Sequence, residues 1–382
     1  MPQTRFYDAP SSGADAGALI SQHIETALDD GSRELVLGAG EWTCQSAIKW
    51  PREPFRLCGQ GYPGAGGGTV ITRNRDVPIL PMSGLPSTEL PQDMIERPQL
   101  ENLQFDGRGF SAPIVNMVSV YEARLLNVHF AGWYVCHLYM ENVWDSRIED
   151  CSWIGGGFNN PTKPLATDLE QRVGYAVGVP MMHLHSPNLN GSDTTNNICF
   201  RGCRWESSPN NAIMLLAEGG NAVDLWFSQC KWESKEAMVP LVLAVDQSAV
   251  SFDTCWVFGA GGGAAPYDME NLPAGTKYSS VTKLHPGLIH AVGCEHIGGK
   301  LIGGGPDHGH HENAPFSSFV RIEGGTAAEL SMMVTGGLTR LQQGNGAVIR
   351  HSGGLRYPDL LRGGCSEWAE SQAPGVPMVD RV

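Results

Sequence analysis

The chain has 382 residues, a formal net charge of −14, 41% hydrophobic residues, 48 glycines and 25 prolines. That charge excludes the basic footprint that nucleic-acid phosphates demand and disfavours an anionic membrane surface, and no apolar run approaches the about eighteen residues of a membrane span. The hydrophobic fraction supplies a real core, while the glycine and proline content suits many tight corners rather than long helices.

Residues 1–14 read as an extended lead-in. Over residues 15–30 the apolar positions Leu19, Ile20, Ile24, Ala27 and Leu28 fall on one face of a short helix that stops at Gly31. Residues 33–42 then read as a first strand and corner, and residues 47–50, 55–58 and 69–72 as further short strands. The glycines Gly59, Gly61 and Gly64 match a dinucleotide-binding spacing, but a strand-like Thr-Val-Ile-Thr follows where a phosphate-binding helix is required. They are corner glycines.

A capping helix with a Gly stop, the turn Gly38-Ala-Gly-Glu-Trp42 and the run Leu57-Cys-Gly-Gln-Gly61 resemble the start of pectate-lyase-like right-handed β-helix proteins. That superfamily includes polysaccharide lyases, glycoside hydrolases and bacteriophage tail spikes. The resemblance covers most of the chain and is architectural. It implies a single all-β domain, a right-handed parallel β-helix solenoid over residues 33–362, capped by residues 1–32 and followed by a tail or cap at 363–382.

Residues 75–96 read as a loop or side excursion, and beyond them one short phrase recurs. It runs Leu100-x-Asn102-Leu103-x-Phe105, Leu125-x-Asn127-Val128-x-Phe130 and Ile148-x-Asp150-Cys151-x-Trp153, then Phe200-x-Gly202-Cys203-x-Trp205, Phe227-x-Gln229-Cys230-x-Trp232 and Phe252-x-Thr254-Cys255-x-Val257. The steps cluster at 23 to 27 residues, the mark of a solenoid. Steps of 52 (Ile148 to Phe200) and 45 (Phe252 to Ile297) are two coils, or one coil carrying a loop. The phrase weakens at Ile297-x-Gly299-Lys300-x-Ile302 and Leu330-x-Met332-Met333-x-Thr335.

Within each phrase apolar and polar residues alternate, a strand period. Stacking coils at about 4.8 Å puts equivalent residues in ladders: Phe105, Phe130, Trp153, Trp205, Trp232 and Val257 in one, Leu103, Val128, Cys151, Cys203, Cys230 and Cys255 in the other. Ten cysteines invite a disulfide framework, yet thiols stacked one per coil on an inward face act as small buried hydrophobes. Insertions at 156–195 (with a strand near 177–185), 260–280 and 303–316 gather where solenoids build binding surfaces.

Several side-chain groups carry chemistry. Glu206 and Glu233 hold the same place in consecutive coils, beside Arg204 and Lys231; an acid–base pair at glycosidase spacing and a solvated charge ladder are both consistent with that placement. His183 and His185 share one side of a strand and suit sugar contact or metal ligation. Asp307, His308, His310, His311 and Glu312 form the densest group of ligand-type side chains and suit a divalent metal; no other cofactor is expected. Phe158 and Tyr267, in insertions, suit stacking on sugar faces. The segment Asn142-Val-Trp-Asp145-Ser-Arg147 lacks the Ile-Asp-His core of the pectate lyase motif, and Gly309-His310-His311 lacks the paired aspartates of polygalacturonases.

Two function classes follow from the resemblance. The first is a bacteriophage tail spike or minor tail protein, a homotrimer in the virion that binds a host polysaccharide and contacts other tail proteins. The second is a glycan-cleaving hydrolase or lyase of bacterial origin, or the same spike acting as a depolymerase. The first residues show no secretory leader, so the alternative locations are the cytoplasm, or outside the cell with a leader removed.

Overall fold

A computed structural model describes residues 5–61, 67–84, 94–159, 164–187, 195–206, 212–220, 224–237, 239–261, 288–304, 318–323, 327–335, 347–351 and 369–371. The chain is all-β, and its described residues form long parallel sheets, one of 16 strands and one of 11, with two helices, α1 (Ala16–Asp29) and α2 (Asp168–Val173). One coil shows the plan. The chain leaves the strand Arg124–Ala131 in the first sheet, crosses to Leu138–Trp144 in the second, and returns as Arg147–Glu149 and Ser152–Ile154, parallel to its starting point. No helix among the described residues is long and apolar enough to cross a membrane.

The corner inside each coil explains the recurring phrase. Its third residue has a left-handed backbone throughout: Asn102 (φ 54), Asn127 (φ 52), Asp150 (φ 52), Gly202 (φ 64), Gln229 (φ 53) and Thr254 (φ 52). This conformation suits Gly and Asn, whose small or polar side chains tolerate it. Asn127 also donates to the Asn102 side-chain oxygen at 2.7 Å, tying one corner to the next. The bend splits the strand, so its two halves pair with separate segments of the following coil.

The expected aromatic ladder holds in register: Phe105 pairs with Phe130, Phe130 with Trp153, Trp153 with Trp205, Trp205 with Trp232, and Trp232 with Val257. Trp42 and Ile71 extend it toward the first coil. Trp205 lies with its ring centroid 4.7 Å from Trp153 and 5.0 Å from Trp232, planes within 10°. A second column, Phe200, Phe227 and Phe252, meets these indoles at steep angles. Such contacts add about 0.5–1.5 kcal/mol each beyond area burial.

The thiols of Cys151, Cys203, Cys230 and Cys255 are free and buried. Cys203 donates to the Ile148 carbonyl at 3.2 Å and Cys255 to that of Phe227 at 3.2 Å, so each sulfur hydrogen-bonds the coil before it. Burial holds the Cys203 and Cys230 thiols well above their ordinary pKa, which keeps them protonated and inert.

The second sheet carries a ladder that the repeat did not announce. Leu80, Val115, Leu138, Met182, Leu215, Val242, Ile289 and Val320 are in register and buried. Between the sheets these rows form one continuous core, and α1 closes onto it through Ile20, Ile24 and Ala27. Asp15 caps α1 and accepts from the Gln45 and Ser46 amides, pinning the helix to the first corner. Arg73, fully buried, donates to the carbonyls of Gly107, Val77 and Phe110 at 2.7–3.0 Å and so satisfies three backbone groups at once.

Several expectations are corrected. Residues 47–50 form no strand. The excursion at 75–96 supplies the strands Leu80–Ser83 and Ile95–Glu96 to the second sheet. The strand expected at 177–185 is Met182–His185. Both long steps are single coils carrying loops, since Ile148 pairs directly with Phe200 and Val250 directly with Ile297. Ile297 thus faces Val250 rather than Phe252, and the register shifts again between Phe252 and Cys255. Gly299 (φ 110) sits at that irregularity, where a Cβ would lie 1.8 Å from the Phe252 carbonyl oxygen. Leu330 in turn pairs with Gly299, two residues from the expected alignment.

The insertion at 156–195 is folded onto the outside of the second sheet. Thr167 and Glu170 close a capping box at the start of α2, and Gly174 (φ 83) ends it. Tyr175 and Val177 then cover Ile213, Leu216, Leu243, Val245 and Val292, a second small core. Arg172 grips Asp246 with both guanidinium nitrogens.

Candidate functional site

The outer face of the first sheet gathers four of the expected residues. Arg204 pairs with Lys231 and Glu206 with Glu233 on adjacent strands, so the two carboxylates stand in register. The Lys231 ammonium lies between them, 3.4 Å from Glu206 and 2.5 Å from Glu233, and Arg204 reaches Glu206 at 3.9 Å. Hydrogen bonding to Glu233 holds the Lys231 pKa above its ordinary value. The Lys231 ammonium between the two carboxylates offsets their mutual repulsion. This geometry is that of the charge ladder.

Beside the ladder two indoles stand out from the sheet, Trp226 at 55% exposure and Trp256 at 40%. The register places Trp256 next to Lys231 and Trp226 next to Cys199 and Ser251. A groove of about 620 Å³ extends from Trp226 across the preceding coils, lined among others by Arg97, Arg124, Arg147, Arg201 and Glu149. Arg97 is paired with Glu122, and Arg124 with Glu149 at 3.4 Å. Arg147 and Arg201 are exposed and have no carboxylate partner among the described residues. Glu122 and Asp145 line the groove as well as Glu149, so its four guanidinium groups exceed its carboxylates by one on a chain of net charge −14.

Sequence reading did not find this groove. Trp226 and Arg147 lie at the strand position just before the repeated phrase, where an outward residue carries no periodic signal.

A polar group within the same sheet also escaped notice. Ser152 and His129 are in register on adjacent coils, with Oγ 2.5 Å from Nδ1, while His129 Nε2 lies 3.3 Å from the Asn127 side-chain oxygen. Both Ser152 and His129 are buried, and burial holds the His129 pKa down, so its ring is neutral. The Ser152 hydroxyl has no path to a substrate at 1% exposure, and the group serves as a structural network.

On the second sheet, His183 and His185 both face outward from the strand Met182–His185 and meet Glu218 of the next strand. Elsewhere Trp133, Tyr134 and Phe158 are exposed, with the last two rings 5.5 Å apart. Asp307, His308, His310, His311 and Tyr267 lie outside the described residues.

No known protein family and no curated protein matches the chain. Among solved structures, it is similar to ORF18 of Geobacillus virus E2 (11% identity, TM-score 0.48), over 87% of this chain and 61% of that one. It is also similar to DFA-IIIase from Arthrobacter chlorophenolicus A6 without its lid, at 10% identity and TM-score 0.46, over 92% of each chain. A third similarity is to the surface protein and adhesin PfbA of Streptococcus pneumoniae, at 9% identity and TM-score 0.39, over 87% of this chain and 95% of that one. The chain therefore spans less than two thirds of the length of the virus protein.

Proposed function

We propose that this chain is a right-handed parallel β-helix that binds a carboxylate-bearing cell-surface glycan on the outer face of its first sheet, as a bacteriophage tail spike or minor tail protein. The observation that supports it is the pairing of exposed Trp226 with the unpartnered Arg147 and Arg201 in one groove. An indole face stacks on the apolar side of a sugar ring, and a guanidinium fork recognises a carboxylate through two parallel hydrogen bonds. A rigid sheet holds these groups in place at little entropic cost on binding. The virion location, the homotrimer and contacts with other tail proteins rest on the resemblance of the capping segment and the repeat.

Trp226→Ala should weaken binding to an acidic polysaccharide about tenfold, read by calorimetry or glycan array, while leaving the circular dichroism unchanged. Equal binding of wild type and variant, or no preference for acidic over neutral glycans, would remove the groove from the proposal. Sedimentation should give a particle of three chains of 41.2 kDa.

The alternative is a glycan-cleaving enzyme, for which the in-register Glu206 and Glu233 are the specific observation. Under that reading Glu233→Gln abolishes the release of reducing ends or unsaturated sugars while glycan binding persists. The ion pairs through Lys231 favour the opposite result, no release by either protein.

A further inference from the structure

We propose that His183, His185 and Glu218 form a binding site for a divalent cation of the zinc type. The site does not depend on the glycan reading, since it lies on the other sheet.

His183 and His185 are two apart on one strand, so both side chains leave the same face. Glu218 is in register with His185 one strand away and Glu141 is in register with it on the other side, so a carboxylate flanks His185 on each neighbouring coil. His183 Nε2 lies 2.8 Å and His185 Nδ1 3.9 Å from the same Glu218 oxygen. One ligand atom from each of the three residues falls within 4.8 Å of the others. A zinc ion bound at about 2.0–2.2 Å sets its ligands about 3–3.5 Å apart, so side-chain rotations on the order of 1 Å complete the set.

The cluster is poorly satisfied without a cation. His183 has its hydrogen bond to Glu218, but His185 Nδ1 is shielded from solvent and has no hydrogen-bond partner among the described residues. A buried ring nitrogen of this kind calls for a partner. A cation on Glu218 and both imidazoles supplies one.

Two imidazoles and a carboxylate are the donor set of late first-row divalent ions, whereas Mg²⁺ and Ca²⁺ prefer oxygen alone. The three side chains keep 20–31% of their surface exposed, so water completes the coordination sphere. Around it Tyr139 packs edge-on against the His183 ring at 5.2 Å and donates its hydroxyl to Glu141, an arrangement that fixes the surroundings of the ligands. The ion would clip two successive coils together at the foot of the folded insertion.

The test is titration of Zn²⁺ and Co²⁺ into the untagged full-length chain, with zinc read by a competing chromophore and cobalt by its visible absorption. One ion should bind per chain, and His185→Asn and Glu218→Gln should each weaken binding at least about tenfold. The triple variant His308→Ala, His310→Ala, His311→Ala should bind as wild type does. Wild-type His183 and His185 should also be protected by zinc from diethylpyrocarbonate, a readout that requires no variant to fold. Absence of binding, loss of binding only in the triple variant, or unprotected His183 and His185 would each overturn the site.

Discussion

Thr254 occupies a left-handed corner where Asn102 and Asn127 sit in earlier coils. A β-branched side chain there is strained, and asparagine reaches this conformation at less cost. Thr254→Asn should therefore stabilise the fold by about 1 kcal/mol, seen as a higher denaturation midpoint. The repeat made this position visible as a run of Asn, Asp, Gly, Gln and Thr, but not its cause. Only the backbone angles reveal that the column shares a bend rather than a ligand. The Arg147 and Arg201 pair was less legible still, because an unpaired guanidinium is defined by what fails to reach it in space.

At the scale of the strand, the phrase was most informative where its residues are large or chemically distinct. Trp153, Trp205 and Trp232 announced their ladder because each holds the same place in the repeated phrase, two residues after a cysteine. Trp205 is fully buried with a flat ring on each side, so Trp205→Ala should cost about 3–5 kcal/mol, measured by chemical or thermal denaturation. The second-sheet ladder from Leu80 to Val320 was illegible because leucine, valine and isoleucine there differ little from apolar residues elsewhere. The shifted register at Ile297 had a similar origin. Glycine-rich strands carry few side chains to mark the pairing, and the irregularity opposite Gly299 puts an extra residue between Phe252 and Cys255 that periodicity does not count. The insertion was legible together with a strand in it, found at Met182–His185, but the core beneath Tyr175 and Val177 was not, since it is assembled from coils far apart in sequence.

The whole molecule is held by layers that each contact mainly their neighbours, so its stability is a sum along one axis. A single titrating group deep in one layer then changes that layer's contribution to the total. His137 is fully buried, with Nε2 2.9 Å from the Gly132 carbonyl, and burial drives its pKa down to about 4 from 6.5. The ring stays neutral in the folded protein while the unfolded chain takes up a proton as pH falls below 6.5. Stability is therefore complete above pH 6.5 and is lost by about 3 kcal/mol as pH falls toward 4. His137→Gln should flatten that dependence in thermal melts run across the interval.

The column of parallel indoles also gives the molecule an optical property. Rings 4.7 and 5.0 Å apart with nearly coincident planes share their excited states, so light absorbed by one is not emitted by that ring alone. The stack should produce a near-ultraviolet dichroic band and quenched emission, both of which vanish when neighbouring layers part. Loss of contact between successive turns can thus be followed by spectroscopy without any attached label.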